Sequence, residues 1–299
     1  MILKRDINGI LLLNKPRGIS SNSALQKARA LFQAKKAGHG GTLDPFASGL
    51  LPLFLGEATK FSQYMLGADK QYLVGIRFGR ETTTDDCNGE TLNTLPPPDL
   101  LNLDWQSVLA HFQGDYQQTP PIFSALKING KRAYELAREG IIPEIAPRII
   151  HIASCSVIAV NKDYAQLRIR CSKGSYIRAF ARDLGRFLNS AAHAETLIRE
   201  ASGHFVLNQA HDLSTLETLS LSERDALLLP IEYALKNIPP LAIPEDKIRF
   251  ICHGNDIAIT ATNGLYQLSA DGHFLGIGKA RDGRLYPKRL LSTEASGVF

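Results

Sequence analysis

The chemistry open to this sequence depends first on one aspartate in a glycine-rich segment. Residues 38–52 read GHGGTLDPFASGLLP, which places Asp44 shortly after the pair Gly40 and Gly41. A carboxylate held on such a loop, between a basic helix and an apolar stretch, could meet a substrate and act as nucleophile or general base. A structural role is the alternative, because Asp-Pro pairs often begin turns. The loop taken alone favours the turn.

A second group of acids suggests a different chemistry. Clustered carboxylates can hold two divalent metals for strand cleavage, which would make the protein a nuclease. Residues 82–89 are better explained as a polar turn whose acids are solvated, and we predict no metal. The acids in question are Asp85, Asp86, Glu90 and Asp115.

The four cysteines form no C-x-x-C pair and have no histidine at zinc-ligand spacing, so we expect them to pack rather than to bind metal or form disulfides.

Composition limits the class of protein. The chain has 299 residues, of which 44% are hydrophobic and 21% charged, close to ordinary globular usage. At roughly 150 residues per domain, this length favours one large domain and a small one. No apolar run is long enough to cross a bilayer, and the N-terminus does not resemble a signal peptide. We therefore expect a soluble cytoplasmic protein.

The charges are unevenly distributed along the chain. Residues 15–60 carry seven basic and two acidic residues, and residues 126–186 carry twelve and five. Residues 61–125 and 187–240 are acidic, with three basic against eight and seven acidic residues. Two basic segments separated in this way suggest a face that binds a polyanion such as nucleic acid. An unevenly charged solvated surface explains the same pattern equally well.

The hydrophobic pattern predicts the elements that must position these groups. An apolar strand over residues 9–13 is followed by a helix that is capped by the serines of residues 20–23 and ended by Gly38. Alternation predicts a strand over residues 71–79 with Tyr72, Val74 and Ile76 on one face. Further predictions are two strands within residues 152–171, a helix that begins just before Arg178, and a helical region over residues 216–235.

The C-terminal part reads as a separate module. The run Ile238-Pro239-Pro240-Leu241 marks a boundary, and short apolar runs follow it. Asn263-Gly264, Asp271-Gly272 and Asp282-Gly283 are dipeptides typical of hairpin turns. We therefore predict an α+β protein with a body over residues 1–237 and a small β module over residues 238–299.

Several segments resemble one enzyme family, in that family's order. Residues 38–52 resemble the signature loop of the TruB family of tRNA pseudouridine synthases, approximately G-H-x-G-T-L-D-P-x-A-x-G-x-L-P, and residues 55–61 continue it. Three further matches span most of the body. They are residues 14–21 (NKPRGISS), 69–72 (DKQY) and 171–178 (CSKGSYIR).

The resemblance implies both a fold and a reaction. The fold would be a mixed, mainly antiparallel sheet of pseudouridine-synthase type, with a C-terminal module related to the PUA fold. The reaction would isomerise the uridine at position 55 in the T loop of tRNA to pseudouridine, after base flipping and without a cofactor. The partner would be tRNA through its T loop and T stem, and the enzyme would act as a monomer without an obligate protein partner. A tRNA-binding or folding protein with incidental or no modification activity is the alternative.

The resemblance also implies residue roles. Asp44 would be the nucleophile, Arg178 would pair with it, and Tyr72 would stack on the flipped uracil. His39 would contact the extruded nucleotide, Lys15 and Pro16 would support the floor of the site, and Leu197 would line an apolar pocket. Residues 117–148 correspond to an RNA-gripping insertion, called the insertion below. Its phosphate-binding residues would be Lys127, Lys131, Arg132 and Arg138.

Overall fold

The protein is described by a computed structural model that covers residues 4–124, 126–128 and 130–292, with only the backbone of Arg138. The strands are β1 Gly9–Lys15, β2 Ala37–His39, β3 Ser48–Leu55, β4 Lys70–Phe78, β5 Arg80–Thr82, β6 Thr91–Thr94, β7 Gly114–Gln118, β8 Lys127–Ile128, β9 Lys131–Arg132, β10 Arg148–Val160, β11 Tyr164–Cys171, β12 Ala192–Ser202, β13 Phe205–Val206, β14 His211–Asp212, β15 Pro240–Ala242, β16 Ile257–Ala258, β17 Gly264–Ala270, β18 His273–Arg281 and β19 Arg284–Leu290. The α-helices are α1 Ser21–Leu31, α2 Ser62–Leu66, α3 Trp105–Ala110, α4 Ala133–Arg138, α5 Ile177–Phe187, α6 Leu213–Thr218, α7 Leu221–Ala226 and α8 Glu245–Cys252. Short 3₁₀ helices cover Gly56–Phe61, Leu207–Gln209 and Ile231–Leu235.

One large mixed sheet forms the body of the protein. Its strands lie in the order β14-β1-β3-β12-β4-β11-β10-β7, with β2 beside β3 and β13 beside β12. Neighbouring strands are antiparallel except for β1 with β14 and β3 with β12, which are parallel. Helix α5 packs on one face of this sheet, and its Phe180 and Leu184 share one apolar cluster with Val74 and Leu167. The predicted α+β class with a mainly antiparallel sheet is confirmed.

The parallel contact between β3 and β12 lies where the Asp44 loop enters the sheet. Ile198 pairs with Ser48, and Arg199 pairs with Gly49. Gly49 has a φ of +101°, and a Cβ at this position would lie 2.5 Å from the carbonyl oxygen of Arg199. Only glycine fits here without moving a strand, because both the backbone conformation and the close approach exclude a side chain. The close contact between the backbones of Gly49 and Arg199 fixes the distance between the loop and β12.

Two predicted helical segments have different bounds in the structure. Helix α1 begins as predicted, with the Ser20 hydroxyl accepting from the Ser23 amide at 3.0 Å, but it ends at Leu31 rather than at Gly38. Gln33 adopts the left-handed conformation and turns the chain, and Gly38 pairs with Phe54 inside β2. Our prediction of the helix end was therefore wrong.

The helical region predicted over residues 216–235 is divided. It consists of α6, α7 and the 3₁₀ helix Ile231–Leu235. Ser220 starts a new helix through a capping box with Glu223, and Pro230 separates the last element. The segment is therefore helical as predicted, but in three short elements.

The C-terminal module is a five-stranded sheet in the order β15-β17-β18-β19-β16, with α8 packed against it. Asp271-Gly272 and Asp282-Gly283 form hairpin turns, with the aspartates at φ of +50° and +51°. Asn263-Gly264 does not, because β16 pairs with β19 rather than with β17. The module contacts the body through apolar side chains, and the rings of Phe61 and Phe274 lie 5.5 Å apart. Residues 293–299 of the predicted module lie outside the described part.

No helix within the described residues is both long and apolar enough to cross a membrane.

We predict that Gly49→Ala lowers the free energy of unfolding by about 2–4 kcal/mol, because the new methyl group must displace the backbone of β12. Gly254→Ala is the matched control, since Gly254 has a φ of +85° but open space around it. It should cost only the conformational penalty of about 1–2 kcal/mol. Urea denaturation measures both variants. Equal losses would show that the close approach to β12 carries no energetic weight.

Candidate active site

The loop that carries Asp44 has no regular structure, and hydrogen bonds from neighbouring elements hold it. The Ser21 hydroxyl, at the start of α1, accepts from the Leu43 amide at 2.7 Å and donates to the Leu43 carbonyl at 2.8 Å. The Gly18 amide donates to the Pro45 carbonyl at 2.7 Å. The family-like segment 14–21 therefore anchors the residues on both sides of Asp44.

A buried arginine supports the same loop from below. Arg199 on β12 is 1% exposed. Its Nε donates to the carbonyl of Leu50 at 2.7 Å, Nη2 to Gly41 at 3.0 Å, and Nη1 to Thr42 at 3.3 Å. One guanidinium thus joins both ends of the loop to the sheet. The sequence patterns gave Arg199 no role, because its partners are backbone carbonyls.

Asp44 meets Arg178, although the two residues lie 134 positions apart in the sequence. Arg178 Nε donates to Asp44 Oδ2 at 2.8 Å. The other two nitrogens donate to the carbonyls of Thr84 at 2.7 Å and Phe123 at 2.9 Å. The Arg178 side chain is 4% exposed and that of Asp44 is 37% exposed. A fixed cation therefore orients a carboxylate that stays open to solvent.

The acids that we expected to be solvated in the turn of residues 82–89 are buried. Asp85 and Asp86 are each 6% exposed. Arg182 Nη1 donates to Asp85 Oδ2 at 2.8 Å, and Asp86 Oδ2 lies 3.8 Å from Arg178 Nη1. Our interpretation was wrong because the compensating arginines come from α5, far along the chain. Burial raises the pKa of Asp85 to about 6, although Arg182 opposes the shift.

The four acids of the nuclease alternative do not share a site. Asp85 and Asp86 contact arginines, Glu90 is exposed, and Asp115 pairs with the imidazole of His151 at 2.9 Å. Across the described ranges, no three metal-ligating side chains are grouped so that they could hold an ion.

Tyr72 lies on β4 between Ile169 of β11 and Arg199 of β12. Its ring packs against the apolar cluster that includes Leu43, as its alternation with Val74 and Ile76 predicted. Burial raises the pKa of the Tyr72 phenol, and the charge of Arg199 opposes this rise. The structure therefore brings Tyr72 to the floor beside the aspartate loop.

The residues predicted to bind substrate surround this loop in different environments. Lys15 is fully buried, and its ammonium donates to the carbonyls of Pro16 and Ile19, both at 2.8 Å. Burial lowers the pKa of Lys15 to about 8. Pro16 is exposed, whereas Leu197 is buried in the apolar cluster next to Val74.

His39 carries a buried polar atom that the fold leaves without a hydrogen bond. Its Nδ1 has no partner within the part of the chain that the structure describes. Burial, followed by the positive charge of Arg199, lowers the pKa of His39. A neutral imidazole with one unsatisfied nitrogen is suited to hydrogen-bond a ligand that enters the site.

Both ends of the insertion meet at Tyr176, just before α5. The Gln118 side chain donates to the Tyr176 carbonyl at 3.0 Å and accepts from its amide at 2.8 Å. The guanidinium of Arg148 lies 4.9 Å from the centre of the Tyr176 ring. No sequence pattern singled out Tyr176, although it lies inside the matched segment 171–178.

The basic residues predicted to bind RNA lie in the insertion. Lys127, Lys131 and Arg132 are exposed on the small hairpin of β8 and β9. Lys131 pairs with Glu139 at 3.2 Å. The side chain of Arg138, in α4, lies outside the described residues. The three described cations are therefore accessible to a phosphate backbone.

Comparisons with known proteins agree on one family. The family model described as "TruB family pseudouridylate synthase (N terminal domain)" matches residues 29–177. A second family model, "Pseudouridine synthase II TruB, C-terminal", matches residues 239–291. The chain is 43% identical to the tRNA pseudouridine synthase B of Stutzerimonas stutzeri, over 98% of both chains. It is 44% identical to that of Thiobacillus denitrificans, over 97% of this chain and 98% of the relative.

Solved structures share the fold at lower identity. A Cbf5-Nop10-Gar1 complex matches with a TM-score of 0.67 at 22% identity, over 96% of this chain and 80% of the matched one. An H/ACA RNP bound to a substrate RNA containing 2'-deoxyuridine matches with a TM-score of 0.65 at 20% identity, over the same shares. Identities this low support the α+β architecture alone.

We predict that Arg199→Lys releases the loop, because a single ammonium cannot reach three carbonyls. At least one charged hydrogen bond is lost, so the free energy of unfolding should fall by at least about 1.5–3 kcal/mol. Amide hydrogen exchange over residues 41–50 should accelerate. Urea denaturation and exchange mass spectrometry measure these two effects.

Arg168→Lys is the matched control on β11, two strands from β12, where the Arg168 side chain pairs with Glu200 at 2.8 Å and is 43% exposed. It should cost less than about 1 kcal/mol, as surface pairs do. Unchanged stability and exchange in Arg199→Lys would contradict the supporting role of Arg199.

Proposed function

Because this chain belongs to the TruB family of pseudouridine synthases, we propose that it converts the uridine at position 55 in the T loop of tRNA to pseudouridine. The contact between Arg178 and Asp44 at 2.8 Å carries the proposal, since it supplies an oriented carboxylate that substrate can reach. The relatives named tRNA pseudouridine synthase B, aligned over nearly the full chain, support tRNA as the substrate.

The reaction breaks the bond between N1 of the base and C1′ of the sugar, turns the base, and joins C5 to C1′. It changes no oxidation state overall and transfers no external group, so it requires no cofactor. Asp44 acts as the nucleophile because its Oδ2 is held by Arg178 while part of the side chain stays open. The buried guanidinium fixes the direction of the carboxylate through a charge-assisted hydrogen bond.

The target base must leave its stack before Asp44 can reach it. Tyr72 replaces part of the lost stacking, an interaction worth about 1–3 kcal/mol per base. His39, through its unpartnered Nδ1, hydrogen-bonds the extruded nucleotide or a neighbour. Lys15 and Pro16 support the floor, and Leu197 lines the apolar part of the pocket.

Recognition of the tRNA depends on the insertion over residues 117–148 and on the shape of the folded loop. Lys127, Lys131, Arg132 and Arg138 bind phosphates of the T stem. The catalytic domain covers residues 1–237, and the C-terminal module over residues 238–299 is PUA-like and supports RNA binding. The enzyme is a cytoplasmic monomer without an obligate protein partner.

We predict that Asp44→Asn binds tRNA as tightly as the wild type and forms no detectable pseudouridine. The amide keeps the size and the acceptor of the carboxylate but removes its negative charge and most of its nucleophilicity. Filter binding measures affinity for an unmodified tRNA transcript, and chemical mapping locates pseudouridine in the product. The wild type should modify one uridine, at position 55.

Two results would contradict the proposal. Pseudouridine formation by Asp44→Asn would exclude Asp44 as the nucleophile. Tight binding by the wild type without any pseudouridine would favour the alternative of a tRNA-folding protein. Asp163→Asn is the matched control, because Asp163 also pairs with an arginine at 2.8 Å but lies on the far turn between β10 and β11. It should leave the reaction unchanged.

We predict that removing the exposed charges of the insertion weakens binding through its salt dependence. In the triple variant Lys127→Gln, Lys131→Gln, Arg132→Gln, the slope of log K against log salt should become shallower by about 2–3. This figure follows from about 0.7–0.9 per phosphate contact.

The control triple variant changes Lys27, Lys162 and Lys236 to glutamine, since these lysines are also exposed but lie outside the insertion. Its slope should match that of the wild type. If both triple variants shift the slope equally, general charge rather than the insertion determines binding.

A further inference from the structure

Three arginines lie on one face of α5, at successive turns. Arg178, Arg182 and Arg186 are four residues apart, and each meets an acid of the segment 81–86. The first two are buried, whereas the Arg186 side chain is 58% exposed. Of the three, Arg178 belongs to the proposed catalytic pair, and the mechanism uses neither of the others.

Arg182 repeats the bonding pattern of Arg178 one helical turn away. Arg178 donates to the Thr84 carbonyl and to the Phe123 carbonyl. Arg182 donates from Nη1 to Asp85 Oδ2 and from Nη2 to the Thr119 carbonyl, both at 2.8 Å. Each arginine therefore joins α5 to the turn of residues 84–86 and to the first residues of the insertion.

The remaining donor of Arg182 extends this network to β7. Its Nε donates to Asp183 Oδ1 at 2.9 Å, and Asp183 Oδ2 accepts from the Tyr116 hydroxyl at 2.6 Å. The strand that leads into the insertion is thus attached to the residue next to Arg182. All three nitrogens of the guanidinium are used, in three directions that only an arginine provides.

The turn that Arg182 holds is itself in an unfavourable conformation. Asp85 has a φ of +58°, in the left-handed region, and its backbone bonds to Ala194 of β12. A non-glycine residue stays in this region when its surroundings hold it there. The adjacent Thr84 carbonyl and the Asp86 carboxylate both face Arg178. A shift of the turn would therefore move the partners that orient Arg178.

We propose that Arg182 is a positioning residue for the isomerisation. It holds the start of the insertion and the turn of residues 84–86 in place relative to α5, so that Arg178 can hold Asp44. This inference rests on the proposed function. It assigns Arg182 an effect on the chemical step and not on tRNA affinity, because Arg182 is 8% exposed and its side chain faces protein groups.

The test is single-turnover conversion of an unmodified tRNA transcript by Arg182→Lys at saturating enzyme. Lysine keeps the charge beside Asp85 but cannot donate in three directions. We expect the rate of pseudouridine formation to fall at least tenfold, while the Kd for tRNA stays within threefold of the wild type. Circular dichroism and thermal unfolding verify that the variant is folded.

Arg186→Lys is the matched control on the same helix face, because Arg186 pairs with Glu81 and, among the residues that the structure describes, has no hydrogen bond to the insertion or to the turn of residues 84–86. Its rate should stay within threefold of the wild type. Asp85→Asn, which keeps the shape of the acid, should lower the rate by an amount between the two lysine variants. When Asp85→Asn is combined with Arg182→Lys, the rate should fall little below that of Arg182→Lys alone.

The inference is overturned if Arg182→Lys keeps the wild-type rate, or if only its Kd for tRNA changes. It is also overturned if Arg186→Lys loses as much rate as Arg182→Lys, because destabilisation of α5 would then explain both losses. The wild type in the same assay separates this failure from a failure of the proposed function, since a wild type that forms no pseudouridine contradicts the function itself.

Discussion

The contact between Arg178 and Asp44 is the interaction that the rest of the site serves. A carboxylate on an irregular loop has no fixed direction unless neighbouring groups impose one. Arg178 imposes it from a buried position, with two of its nitrogens bound to carbonyls and the third directed at Asp44. The desolvation cost of burying a guanidinium is large, so this arrangement requires every donor to be satisfied.

Two buried arginines divide the work of holding the aspartate loop. Arg178 approaches from α5 and orients the carboxylate, whereas Arg199 lies beneath and joins the loop backbone to β12. Burial lowers the pKa of both His39 and Lys15, and the charge of Arg199 adds to each shift, whereas Asp44 opposes the shift of Lys15. The floor of the site consequently carries two buried cations, Lys15 and Arg199, whose donors bond to backbone carbonyls.

The sequence predicted the pieces of this site better than their contacts. Alternation located β4 with Tyr72 on its buried face, and the family-like segments placed Asp44 and Arg178 together. The sequence-based prediction failed where contacts between distant residues decide the outcome. By composition Asp85 and Asp86 belong to a solvated polar turn, but arginines about a hundred residues later pair with them and make their burial possible. Arg199 was missed for the same reason, because its partners are backbone carbonyls that no residue pattern reveals.

The most direct test of this account is single-turnover conversion of tRNA by Arg178→Lys at saturating enzyme. Lysine retains the positive charge near Asp44 but loses the geometry that directs one nitrogen at the carboxylate and two at the carbonyls. The account predicts a fall in rate of about 10²-fold, typical of a misplaced reacting group, with the Kd for tRNA within threefold of the wild type. A variant that converts tRNA at the wild-type rate would contradict it, since the charge alone would then suffice.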